Sequence, residues 1–117
     1  MKIYHHPNCS SCKKALAHLR RLELDFELVN IIDQPPTQAE LEQMLAIYAG
    51  NIKRLFNTSG QAYREADLKS TLPSMSAATA LATLAANGML VKRPFILTGQ
   101  GTGMVGYNEA MLNELLA

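Results

Sequence analysis

Lys2-Ile3-Tyr4-His5 is a short β-prone run that Pro7-Asn8 interrupts, and beyond it Ala15, Leu16, Leu19 and Leu22 recur at helical spacing. Asp25-Phe26-Glu27-Leu28-Val29-Asn30 then alternates apolar with polar residues, as a half-buried strand does. A strand over residues 1–5, a helix over 10–22 and a strand over 25–30 make a β-α-β unit. Pro35-Pro36-Thr37 opens a second helix: Thr37 at the N-cap with Glu40 three residues on is a capping box, Leu41, Met44, Leu45 and Tyr48 form the inner face, and Gly50 ends it.

From Asn51 to Asn87 the pattern is wholly helical, with Ile52 to Phe56, a break at Asn57-Thr58-Ser59-Gly60, a short Tyr63 to Leu68 piece, and a longer helix from Ser76 to Ala86 closed by Asn87-Gly88. Phe95-Ile96-Leu97 and Met104-Val105 are short strands, and Asn108 caps a last helix carrying Met111, Leu112, Leu115 and Leu116. Gln100-Gly101-Thr102-Gly103 lacks the Lys-Ser or Lys-Thr and the helix start of a phosphate loop, so it reads as a hairpin turn. The order is β-α-β, a helical insert over about residues 37–87, then β-β-α. No repeat or linker divides residues 1–117, which are expected to form one α/β domain.

Composition narrows the function classes. Hydrophobic residues make up 48% of 117, enough for one core without a disulfide framework. No apolar run approaches the ~18 residues of a membrane span, and no basic segment followed by an apolar one opens the chain, so a cytoplasmic location is expected; a monomer is expected as well. The net charge is +1, Trp is absent and aromatics are 6%, which argues against nucleic acid as a partner.

The chemistry lies in Cys9-Ser10-Ser11-Cys12, the only two cysteines, placed where the first strand gives way to the first helix. Cys12 extends the apolar stripe of Ala15 and Leu16 backward by one turn, which makes it the more buried thiol and Cys9 the exposed one. A helix start carries unsatisfied N–H groups and about half a positive charge, and Lys13 and Lys14 add cations one turn away. Both favour a thiolate at Cys9. Cys9 is therefore the expected nucleophile and Cys12 the resolving cysteine. A buried pair kept as small hydrophobes is the plain alternative, but the strand-to-helix turn beside Pro7 favours redox chemistry. His5 and His6 with Cys9 and Cys12 nominally offer a zinc set, yet adjacent residues on a strand point to opposite faces and no second ligand pair exists, so no metal is expected.

Tyr4-His5-His6-Pro7-Asn8-Cys9, Lys92-Arg93-Pro94 and Val105-Gly106-Tyr107-Asn108-Glu109 resemble the arsenate reductase and Spx family over essentially the whole chain. Phe56-Asn57-Thr58-Ser59-Gly60 and the run from Asn87 to Pro94 resemble its arsenate reductase-like branch. The resemblance implies a thioredoxin-like fold, a nucleophile at Cys9, a histidine at His5 that tunes its ionisation, and a loop from Asn8 through Ser10 and Ser11 that cradles an oxyanion. It also implies that Arg93 contacts the anion and the thiolate, that Pro94 is cis, and that Lys13 stands where the arsenate reductases carry an anion-loop arginine. Asn57 and Gly106 replace two further anion-binding arginines, so arsenate reduction is not expected.

Two functions follow from the resemblance. One is a thiol oxidoreductase with no bound cofactor, restored by an external dithiol or a glutathione/glutaredoxin-type reductant. The other is a redox-sensing regulator of the Spx type that binds the RNA polymerase α subunit. The segment from Asn51 to Ser59 has Lys53, Arg54 and Asn57-Thr58-Ser59 in place of that regulator's acidic and Ser-Thr-Arg residues, which favours the oxidoreductase.

Overall fold

A computed structural model describes residues 1–117. In chain order the elements are β1 (Lys2–His5), α1 (Ser10–Arg21), β2 (Glu27–Asn30), α2 (Gln38–Ile47), α3 (Gln61–Glu65), α4 (Leu68–Thr71), α5 (Ala77–Ala86), β3 (Phe95–Leu97), β4 (Gly103–Val105) and α6 (Glu109–Leu116). Single 3₁₀ turns occupy Ile52–Leu55, Leu72–Ser74 and Gly88–Leu90. The four strands lie in the order β2-β1-β3-β4, with β1 parallel to β2 and antiparallel to β3, and β3 antiparallel to β4. The α/β class and the β-α-β, insert, β-β-α order are those the sequence predicts.

Strand alternation sorts the core into two layers. Ile3, Ile96 and Met104 stand side by side in register and pack with Leu16, Leu19 of α1 and Leu112 of α6. Tyr4, Phe95 and Val105, the next row, face the insert and its Leu41, Met44, Phe56 and Leu84. Gly103 keeps the hairpin close to α2, since a Cβ there would collide with the Ile96 carbonyl and crowd the Met44 methyl.

The capping box on α2 is present in both directions: Thr37 Oγ1 accepts from Glu40 N–H at 3.1 Å, and Glu40 Oε1 accepts from Thr37 N–H at 2.9 Å. The same carboxylate accepts from the Tyr4 hydroxyl at 2.7 Å and pairs with Lys2 at 3.2 Å. Burial pushes the Glu40 carboxyl up, but the Thr37 N–H, the Tyr4 hydroxyl and Lys2 together outweigh it and leave it below the ordinary value.

Three local features depart from the sequence reading. The second strand begins at Glu27 rather than residue 25, because it pairs only from the level of Lys2 onward. The short helix expected over Tyr63 to Leu68 is divided: α3 ends at Glu65, Asp67 turns into the left-handed region at φ 51°, which Asp tolerates, and the chain restarts as α4 at Leu68. Phe56 makes a β-bridge to Val91. Gly88 serves close packing and not a left-handed helix end, since a Cβ there would collide with the Ile31 carbonyl.

Candidate functional site

β1 ends at His5, whose carbonyl accepts the Ile31 N–H at 2.8 Å, and the chain must then reverse within four residues to start α1. The His6 carbonyl accepts from Cys9 N–H at 3.2 Å, and His6 Nδ1 accepts from Asn8 N–H at 3.1 Å. His6 thus ties the turn at both ends. From the sequence alone this histidine has no role beyond that of a nominal zinc ligand. Its signal was a polar side chain before Pro7, where an i to i+2 acceptor closes a turn.

Cys9 is the N-cap of α1, with extended backbone at φ −98° and ψ 116°, and its Sγ accepts the Cys12 N–H at 3.2 Å. A cap that accepts through sulfur places that atom at the positive end of the helix. No acidic residue lies in the first turn to compete for it. The backbone N–H groups of Ser10 and Ser11 have no acceptor within the helix, so the turn still offers donors to an anion. Asn8 and Ser10 are exposed, and Ser11 is half-buried.

Cys9 is partly exposed whereas Cys12 is only 1% exposed. Burial, followed by the hydrogen bond to Cys9, pushes the Cys12 thiol up to about 12, against the opposing pull of the His6 backbone N–H and the Arg93 charge. The two sulfurs are both free thiols.

Arg93 precedes Pro94 through a cis peptide. The Pro94 carbonyl accepts the Gly106 N–H at 2.9 Å, and Arg93 Nη1 reaches the Met89 carbonyl at 3.4 Å. Arg93 Nε is buried without an acceptor, a donor that an anionic sulfur or oxyanion would satisfy. His5 lies on the same side of the sheet as Ile3, the α1 side, and no hydrogen bond joins it to either cysteine. Burial first, then the charges of His6 and Arg20, lower its pKa from the ordinary value, so it is neutral near pH 7. Lys13 is exposed and bonds the loop only through its backbone, from Lys13 N–H to the Cys9 carbonyl at 3.1 Å. The fold therefore groups Cys9, Cys12, the His6 turn and Arg93, while the Lys13 side chain faces solvent. No three His, Cys, Asp or Glu side chains converge as metal ligands.

Asn57 and Gly106 stand where the resemblance expects arginines. Asn57 is half-buried, with its N–H donated to the Leu90 carbonyl at 2.7 Å, and Gly106 adopts φ 76°. Neither supplies a charge.

Known proteins resemble this chain in sequence and in fold. The model of the ArsC family matches residues 4–115. The uncharacterized protein YusI of Bacillus subtilis is 36% identical over 114 residues, covering 97% of this chain and 96% of its own. An arsenate reductase of Rhizobium meliloti is 29% identical over 97% of this chain and 79% of its own, and the global transcriptional regulator Spx of Streptococcus pyogenes is 29% identical over 95% and 81%. An ArsC family related protein from Bacteroides fragilis superposes with a TM-score of 0.90 at 35% identity, covering 97% of this chain and 95% of that one.

Proposed function

The chain belongs to the ArsC family, and from that premise we propose that it is a thiol-dependent oxidoreductase with Cys9 as nucleophile and Cys12 as resolving cysteine. The observation that carries this reading is the asymmetry of the pair. One sulfur caps a helix and is partly open to solvent; the other is buried, held protonated, and hydrogen-bonded to the first. Thiol exchange needs that division of labour.

The Cys9 thiolate attacks one sulfur of an oxidised thiol substrate. The S–S bond breaks, and the departing sulfur leaves as a thiolate with the electron pair. Cys12 then attacks Cys9 Sγ, its proton passing to the second departing thiolate, and the Cys9–Cys12 disulfide forms. The substrate gains two electrons and the pair loses two. An external dithiol or a glutathione/glutaredoxin-type reductant returns them. Arg93 holds the anionic sulfur, and the Asn8 to Ser11 turn supplies backbone donors.

Arsenate is a poor substrate in this reading. Two arginine contacts are missing at Asn57 and Gly106, and each charge-assisted bond contributes about 1.5 to 3 kcal/mol, so affinity falls by about a hundredfold or more. One preparation assayed with arsenate and with a small disulfide, with Cys9→Ser as the blank, tests this. Disulfide turnover that Cys9→Ser abolishes, with arsenate turnover near background, is expected. Robust Cys9-dependent arsenate reduction overturns the substrate assignment.

A second reading is a redox-sensing regulator that docks on the RNA polymerase α subunit. It is favoured by the Spx relatives, which at the same 29% identity match 95% of this chain against 97% for the arsenate reductase. Pull-down of purified α subunit by the oxidised but not the reduced chain, in the absence of disulfide turnover, selects it.

A further inference from the structure

A cleft of about 220 Å³ opens beside the Ile52–Leu55 turn, walled by Asn51, Lys53, Arg54, Thr58 and Lys92 over Phe56. Every charged side chain in that wall is a cation. The whole chain carries only +1, so three cations around one cleft are not the by-product of a basic protein. None of them has an acidic partner at ion-pair distance; the ion pair in this fold joins Lys2 to Glu40. Gathering like charges without a counter-charge raises the energy of the folded state, and a bound anion relieves it.

The wall is fixed from behind. Asn57 N–H donates to the Leu90 carbonyl at 2.7 Å, Phe56 bridges Val91, and Lys92 N–H donates to the Leu55 carbonyl at 2.8 Å. These bonds stitch the segment bearing Lys53 and Arg54 to the one bearing Lys92. The Arg54 guanidinium lies 4.9 Å over the Tyr48 ring, whose hydroxyl accepts the Val105 N–H at 3.0 Å. This cation–π contact restrains the side chain while its N–H groups, which make no hydrogen bond within the protein, remain for an acceptor. Lys92 Cε lies within van der Waals reach, 3.4 Å, of the position a Cβ at residue 106 would take, which places the lysine stem beside Gly106.

We propose that this cleft is an anion-binding site for a phosphate-type dianion. Its donors are one planar fork, two ammonium groups, a hydroxyl and a side-chain amide, and no carboxylate lines it. A tetrahedral dianion uses the fork bidentately and the ammonium groups as point charges, whereas a single carboxylate leaves most of the positive charge uncompensated. The volume accommodates such a group with several waters, each taking about 30 Å³. The group arrives either as free phosphate or as the monoester of a larger molecule. The site does not use the cysteines.

The test is an amide NMR titration of the full chain with inorganic phosphate and, separately, with glycerol 2-phosphate, at constant ionic strength against chloride. Saturable shifts at Lys53, Arg54, Thr58 and Lys92 are expected, unchanged in Cys9→Ser. Stronger binding of inorganic phosphate indicates the free ion, and stronger binding of the ester a larger ligand. Arg54→Gln and Lys92→Gln should each weaken binding about tenfold. Should Lys92→Gln disturb the fold, Arg54→Lys, which keeps the charge and loses the fork, gives an independent weakening. Shifts that track chloride, that fall only on residues 8–12, or that survive both substitutions overturn the proposal.

Discussion

At the residue scale the Cys12 thiol sets the chemistry of the pair. With its proton held up to about 12, it resists alkylation while Cys9 reacts. Iodoacetamide at about pH 6.5 should label Cys9 first, as peptide mass spectrometry would show, and equal rates would reverse the assigned roles. The same burial gives a pH dependence of stability. The unfolded thiol ionises near the ordinary 9.0 and the folded one near 12, so the contribution is complete below pH 9 and is lost as pH rises from 9 toward 12. The denaturation midpoint should therefore fall between about pH 8 and about pH 10 more steeply in the parent than in Cys12→Ala. Arg93→Gln removes a charge that pulls the Cys12 thiol down, so resolution should slow and the mixed disulfide at Cys9 should persist in quenched mass spectra. Cys9 and Cys12 were legible in the sequence because cap position and stripe position are local properties. The His6 acceptor was not, because it exists only once the turn has closed around Asn8.

At the element scale, α2 is the helix most fully written into the sequence: the Thr37–Glu40 box is present in both directions. Thr37→Ala should cost about 1 kcal/mol in chemical denaturation. Glu40 binds the Thr37 N–H, Tyr4 and Lys2 together, and its carboxyl lies below the ordinary 4.5. Its contribution is present above that value and is lost as pH falls through the depressed one, a loss that Glu40→Gln should abolish. The insert was less legible. Its helices are short and end where tertiary contacts intervene, as at the Phe56–Val91 bridge and the left-handed Asp67. Periodicity within a short window carries neither signal. His18 is a further tertiary feature hidden from sequence, with Nδ1 3.1 Å from the Tyr107 hydroxyl and Nε2 2.8 Å from Asn113 Oδ1, joining α1 to α6.

At the scale of the whole molecule, the order of elements was readable because each strand run is bounded by Pro, Asn or Gly, whereas the pairing of β1 with β3 is a property of the closed sheet. Mild oxidation should yield an intramolecular Cys9–Cys12 bond, with the main species on size exclusion unchanged; a predominantly disulfide-linked dimer would contradict the proposed pair. The sheet order also bears on how the protein is made. β1 is the first strand synthesised, yet its neighbour on one side is β3, whose residues Phe95–Leu97 come near the end of the chain. While the insert is still emerging from the ribosome, the strand leading to Cys9 has an open edge and Arg93 has not been translated. The thiols of the nascent chain thus pass through synthesis before the packing that buries Cys12 and raises its thiol is complete.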